Sequence, residues 1–247
     1  MRSQLQILLA FDRGPASLTA AEVVTRTGLP RSTVFRSLST LVEDAFLMQS
    51  ASGGTSRYML GPRILQLGMA ARTHLTGDEA IVGPALDLAR ETGETVTFGI
   101  VDAPWRVCTY VAEASSDLRA VAHVGARYPL HLGAASKVLL ANLAPPVVEA
   151  VLRGTDLSQA ARAALLEQLE TIRADGYAIT ANERVSDIIA VAAPVFVSGH
   201  LLGSLGVFGP EDRLSRAIEP SREAVLRAVR DISCRASGGV KDQQPTA

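Results

Sequence analysis

The chain has 247 residues, 47% of them hydrophobic and 20% charged, with a formal net charge of −1. That length and apolar content exclude a small staple-dependent scaffold and fit two domains with real cores. The near-neutral total hides an asymmetry: residues 1–76 carry 8 Arg/Lys and 4 Asp/Glu, a net of +4, and residues 77–247 carry 16 and 21, a net of −5. A basic head on an acidic body points to nucleic acid as the head's partner.

The first helix is expected to turn Leu5, Leu8 and either Phe11 or Leu9 inward. Thr19-Ala20-Ala21-Glu22 has capping-box spacing, so a second helix starts at Thr19, buries Val23 and Val24, and ends at Gly28. Pro30 cannot continue that helix but can open the next. Helix, short glycine turn and second helix make the helix-turn-helix plan.

Residues 29–47 read LPRSTVFRSLSTLVEDAFL. Val34, Leu38, Leu41 and Ala45 fall on one helical stripe. The opposite side carries Arg31, Ser32, Thr33, Phe35, Arg36, Ser39 and Thr40, with no acid until Glu43. Such a face suits a polyanion, because Arg pairs with phosphate or guanine and hydroxyls bind phosphate oxygens. The alternative is a plain amphipathic helix whose outer face is merely solvated. The following residues favour the first reading. Phe46–Ser50 and Ser56–Leu60 read as strands around ASGGTS, a hairpin turn signal. Three helices and a hairpin form a winged helix-turn-helix, with Ser52, Gly53, Thr55 and Arg57 placed to follow a phosphate backbone.

Residues 62–76 form an expected linker helix with Ile64, Gly68, Ala71 and Leu75 on one stripe. Its small residues allow either close approach of a second copy or packing on the chain itself. In the body, helices are expected at Asp78–Thr92, Ala134–Leu143, Leu157–Ala174 and Ser215–Arg235. Strands are expected at Thr95–Val101, Arg106–Ala112, Leu118–Val124, Tyr177–Thr180, Ile188–Val197 and Leu201–Phe208. This pattern argues for an α+β domain with a mostly antiparallel sheet. Ile188–Gly209 lacks any Asp, Glu, Lys or Arg, yet Pro194 and the Ser198-Gly199-His200 turn signal make it a buried hairpin and not a membrane span. Residues 237–247 have no periodicity and read as a disordered tail.

Catalytic chemistry has little support. GxSxG, a P-loop, HExxH, CxxC and GxGxxG are all missing from the sequence. Cys108 and Cys234 form no metal or redox spacing, so neither metal nor cofactor is expected, and a reducing, cytoplasmic setting follows. No signal peptide is expected, since the apolar run Leu5–Phe11 is short and no small-residue cleavage site follows it. One loop stands out, YPLHLGAASKVLLA at residues 128–141. Backbone N–H groups of Gly133, Ala134, Ala135 and Ser136 would be free at a helix N-terminus, where the dipole favours a carboxylate. Ordinary close packing of helix on sheet is the alternative.

Taken together, LPRSTVFRSLSTL, RYMLGPRILQLG, YPLHLGAASKVLLA, DGYAITANE, VAAPVF and GVFGPEDR resemble the IclR family of bacterial transcription regulators, from Leu5 to about Arg230. The resemblance implies a winged helix-turn-helix over residues 1–61, a linker helix over 62–76 and a GAF-like effector domain over 77–236. It implies a regulator, with repressor as the expected sign, and a homodimer or dimer of dimers on double-stranded operator DNA. It implies a small organic acid as effector, held by Gly133, Ala134 and Ala135, with walls from the strand after Gly176 and the strand into Ala192-Ala193-Pro194. Some GAF-like domains are enzymes that use several cysteines, and two poorly placed ones argue against that here.

This sequence departs from the family pattern. Ser136 stands where a glycine is usual, Thr180 near a usual acid, Asp187 near a usual glycine and Ala190 near a usual cysteine. The departures, with Phe98, Val107, Leu130 and Ile188 nearby, suggest a less polar pocket for an aromatic or longer acyl carboxylate. Asp187 could instead alter or abolish ligand binding. Glu183 matches a common family acid, either at the pocket edge or in a solvated turn.

Overall fold

A computed structural model describes residues 2–12, 14–52, 55–76, 78–113 and 121–239. The chain divides into two compact units, residues 1–75 and 76–247.

The first unit begins with α1 (Arg2–Leu9), α2 (Ala20–Thr27) and α3 (Arg31–Glu43). Thr19 closes the expected capping box on α2: its side chain accepts from Glu22 N–H, and Glu22 reaches back to Thr19 N–H. Gly28 ends α2 at φ 66°, a left-handed conformation that a β-carbon would strain. Val34, Leu38 and Leu41 of α3 are buried against Ile7, Phe11 and Val23. Two expectations need correction. Ile7 and Phe11 anchor α1, while Leu5 and Leu9 are exposed. Ala45 lies beyond α3 at φ 60°, because the helix is already capped at Asp44.

The strands β2 (Leu47–Ser52) and β3 (Thr55–Leu60) pair antiparallel with Ser52 opposite Thr55. A short β1 (Leu18–Thr19), not anticipated from sequence, adds to the other side of β3. Beyond the hairpin, α4 (Pro62–Thr76) leaves Leu65 and Leu67 largely exposed.

The second unit is a six-stranded antiparallel sheet in the order β6-β5-β4-β9-β8-β7. These strands span β4 Thr95–Asp102, β5 Trp105–Ala112, β6 Arg127–Pro129, β7 Ala178–Ala181, β8 Ile188–Val197 and β9 His200–Pro210. The uncharged stretch is the β8–β9 hairpin, with Val197 opposite His200 and positive φ at Ser198 and Gly199. Among the described residues, no helix is long and apolar enough to cross a membrane.

Strand alternation sends side chains to two cores. Val96, Phe98, Val191, Ala193 and Leu205 pack with α5 (Asp78–Thr92) and α10 (Ile218–Gly239). On the other face, Ala178 and Ala192 pack with α6 (Ala134–Ala141), α7 (Pro145–Arg153) and α8 (Gln159–Asp175). Sequence reading missed α7, the short helix α9 (Glu211–Leu214) and β6; of the expected strand Leu118–Val124, residues 121–124 form no strand and 118–120 lie outside the described residues. The helix α10 extends to Gly239, further than expected, and residues 240–247 of the expected tail lie outside the described residues.

Candidate DNA interface and ligand pocket

The outer face of α3 is built by subtraction. Packing consumes Val34, Ser37, Leu38 and Leu41, which leaves Arg31, Ser32, Phe35, Arg36 and Ser39 exposed, with Thr33 and Thr40 at the margins. Phe35 is 50% exposed, a large apolar group left on a polar face. Arg31 and Arg36 make no ion pair among the described residues. The hydroxyls of Ser39 and Thr40 donate to the carbonyls of Phe35 and Arg36, each 3.2 Å away. Their lone pairs remain outward, but each hydroxyl must rotate off its own helix before it can donate to a phosphate oxygen.

On the hairpin, Thr55 is exposed, while Gly53 and the side chain of Ser52 lie outside the described residues. Arg57 is otherwise engaged than expected. Its guanidinium donates to the Ser17 hydroxyl at 2.8 Å and to the Ser17 carbonyl at 2.9 Å, and lies 3.8 Å from Glu22. It fastens the residues before β1 to the sheet.

In the second unit, a cavity of about 340 Å³ opens between the sheet and the N-terminus of α6. Of the expected pocket residues, Gly133, Ala134, Ala135, Ser136, Thr180, Glu183, Ile188 and Ala190 line it. Phe98, Val107 and Leu130 do not. Phe98 points into the core beneath α5 and α10, since its strand neighbour Thr97 takes the cavity side. Val107 alternates in the same way with Arg106. Leu130 packs under α6 with Val138 and Leu139.

The α6 N-terminus also differs from expectation. Two of its N–H groups are already satisfied by protein. Gly133 N–H donates to Glu183 Oε2 at 2.9 Å, and Ala134 N–H donates to Thr180 Oγ1 at 3.0 Å. Ser136 N–H turns back to the Gly133 carbonyl at 3.1 Å. Only Ala135 N–H lacks a partner among the described residues. Glu183 thus supplies the carboxylate that the helix dipole favours. Its other oxygen accepts from Lys137 Nζ, which also donates to Gln168 at 2.8 Å. Burial, reinforced by the Lys137 charge, holds nearby His131 below its ordinary pKa.

Thr180 is therefore a helix cap as well as a pocket wall, and Ala190 leaves space beside it. Asp187 lies outside the cavity lining at φ 60°, with its N–H bonded to Asn182 Oδ1. A glycine fits that backbone without strain, and an aspartate tolerates it better than most residues. Asp187 therefore bears on the conformation of the loop between β7 and β8.

Sequence reading missed Arg106, Tyr128 and Arg184. Arg106 is 2% exposed and lines the cavity from β5. Its Nε donates to Ser204 Oγ at 3.0 Å and its NH2 to Thr97 Oγ1 at 3.1 Å. Burial lowers its pKa, while Cys108 and Tyr128 act the other way. Arg106 lies 6.0 Å from the Tyr128 ring centroid, and Arg184 lies 3.9 Å from it. A signal was present: in WRVCTYVA the alternation sets Arg106 and Cys108 on one face of a strand otherwise read as buried. Cys108 itself is fully buried with its pKa raised by that burial, an inert thiol.

Both halves match known families. Residues 5–51 match the IclR helix-turn-helix domain, and residues 79–234 match the family described as bacterial transcriptional regulator IclR C-terminal. The chain belongs to the IclR family. Its IclR relatives include the HTH-type transcriptional regulator BhcR of Paracoccus denitrificans, 32% identical over 92% of this chain and 82% of that one. The glycerol operon regulatory protein of Streptomyces griseus is 32% identical over 91% of this chain and 89% of that one. The fold matches an IclR homolog from Microbacterium hydrocarbonoxydans, complexed with 4-hydroxybenzoate, at TM-score 0.83 and 20% identity over 96% and 98% of the two chains. This IclR chain is thus a transcription regulator, not an enzyme, with a DNA-binding head and an effector-binding body.

Proposed function

We propose that this chain is a repressor that binds its operator through α3 and is controlled by a small carboxylic acid with an apolar body. The observation that carries the DNA reading is the exposed face of α3. It presents Arg31 and Arg36 without an ion-pair partner among the described residues, on a helix whose other face is closed by packing. Arg31, Ser32, Thr33 and Arg36 enter the major groove, with Phe35 against a thymine methyl or sugar. Ser39 and Thr40 lie beside the backbone, and Ser52, Gly53 and Thr55 follow the phosphates. Copies pair through the head and α4, whose exposed Leu65 and Leu67 supply apolar surface. The protein acts in the cytoplasm, where its DNA is. An effector that binds one arrangement of the paired heads better than another changes DNA affinity by population shift.

The test is binding to DNA just upstream of its own gene, at two salt concentrations, against scrambled competitor. Selective binding that weakens with salt is the expected result. Equal affinity for both DNAs at every salt concentration would sink the operator reading for that site. A second reading, a regulator whose pocket takes no ligand, is favoured by one observation: Glu183 and Thr180 already occupy two N–H groups of α6. Calorimetry with a panel of acids separates the two.

A further inference from the structure

An arginine inside a cavity wall asks for an anion. A guanidinium has five N–H donors and stays charged in proteins. Arg106 uses two of them, on the neutral hydroxyls of Ser204 and Thr97. No carboxylate reaches it among the described residues, and the residue lines the cavity. A buried charge without a counter-charge is costly. The surroundings nevertheless make room for it. A β-carbon on Gly99, the neighbour across the sheet, would fall 2.6 Å from Arg106 Cζ and 2.7 Å from Nε. A register irregularity between Phe98 and Gly99 lies at the same place. The nearby Arg184 adds a second positive charge beside Tyr128 and has no ion-pair partner among the described residues.

Among the described residues the cavity has one lining carboxylate, Glu183, and it is committed to Lys137 and Gly133. An incoming acid would have to displace Glu183 to reach Gly133 N–H and Thr180 to reach Ala134 N–H, which leaves it Ala135 N–H alone among these groups. Arg106 needs no displacement.

We propose that Arg106 is the anion anchor of the pocket, so that the effector's carboxylate docks on the sheet floor at β5. Its apolar body then lies against Val185, Ile188 and Ala190, with Tyr128 alongside. The effector class is a monocarboxylic acid with a planar or branched apolar body. This deepens the proposed acid-responsive function and rests on it.

The test compares carboxylates with their neutral carboxamides, benzoate against benzamide and phenylacetate against phenylacetamide, by calorimetry on the full-length protein. Wild type is expected to prefer the acid. Arg106→Gln, which keeps donors for Ser204 or Thr97, is expected to weaken acid binding by about ten- to a hundredfold, the worth of a hydrogen bond to a charged group. Amide affinity should stay within about threefold, well below that range. A preference for acid that survives Arg106→Gln overturns the anchor while leaving the acid-responsive reading intact. Wild type that binds its operator but prefers no acid overturns both. Should Arg106→Gln fail to fold, the wild-type 15N resonance of Arg106 Nε decides. It is expected to shift with benzoate and not with benzamide, and an unmoved resonance in the benzoate-saturated protein refutes the anchor.

Discussion

Removing Glu183 should expose how much the α6 N-terminus depends on a borrowed carboxylate. The Lys137 side chain is only 7% exposed and that of Glu183 is 24% exposed. In Glu183→Ala, Lys137 keeps Gln168 as a neutral partner, and Gly133 N–H opens to the cavity. Breaking a fully buried pair costs about 3–5 kcal/mol, because one charge is left uncompensated. Glu183 is a quarter exposed, so water can reach the gap, and a loss of about 2–3 kcal/mol is expected. The chain's one tryptophan, Trp105, lies in β5, so urea unfolding followed by its fluorescence reports on the effector domain. The double variant Glu183→Ala with Lys137→Met removes both charges and should recover most of the loss. A single variant within about 0.5 kcal/mol of wild type, the scatter of ordinary surface substitutions, would refute the account of Glu183 as cap and counter-ion.

Three further outcomes are expected. Arg36→Ala should weaken specific DNA binding by about 1–3 kcal/mol if it reads a base, whereas an equal loss on all sequences with a smaller salt slope marks a phosphate contact. A β-carbon at Gly28 would meet nothing within 4 Å, so Gly28→Ala should cost only its left-handed backbone, about 1–2 kcal/mol, in thermal unfolding of the head. Hydrogen bonds from the Thr19 backbone and hydroxyl hold the Glu22 carboxyl below its ordinary 4.5, so its contribution is complete above that value and is lost as pH falls through the lowered folded pKa. Circular dichroism melts of wild type should therefore lose stability at acid pH more steeply than those of Glu22→Gln, and parallel curves would count against the capping box.

Local signals were the legible ones. Thr19, Glu22, Gly28 and Pro30 bracket two helices within twelve residues, and each acts through its own backbone neighbourhood. The polar face of α3 was legible for the same reason, since helical period alone separates Val34 and Leu38 from Arg31 and Arg36. The pocket depends on pairings distant in sequence. Thr180 and Glu183 reach α6 across 46 and 50 residues, which no spacing rule records. Proximity in the sequence reading suggests Phe98 and Val107 for the cavity, but strand parity places both on the far face. Arg106 went unremarked because a lone arginine in an apolar strand usually marks an edge. Only the positions of Gly99 and Ser204 show that it lies inside.

The sheet of the second unit is long in the middle and short at its margins. Of the four interior strands, β8 and β9 run 10 and 11 residues and β4 and β5 run 8 each, while the outermost strands β6 and β7 run 3 and 4. One margin ends on Pro129, which has no N–H to offer. Each outermost strand therefore exposes few unpaired backbone groups as a template, and β7 pairs with Ile189–Ala192 of β8. For crowded copies of this regulator, zipping sheet to sheet has little to start from at these two strands.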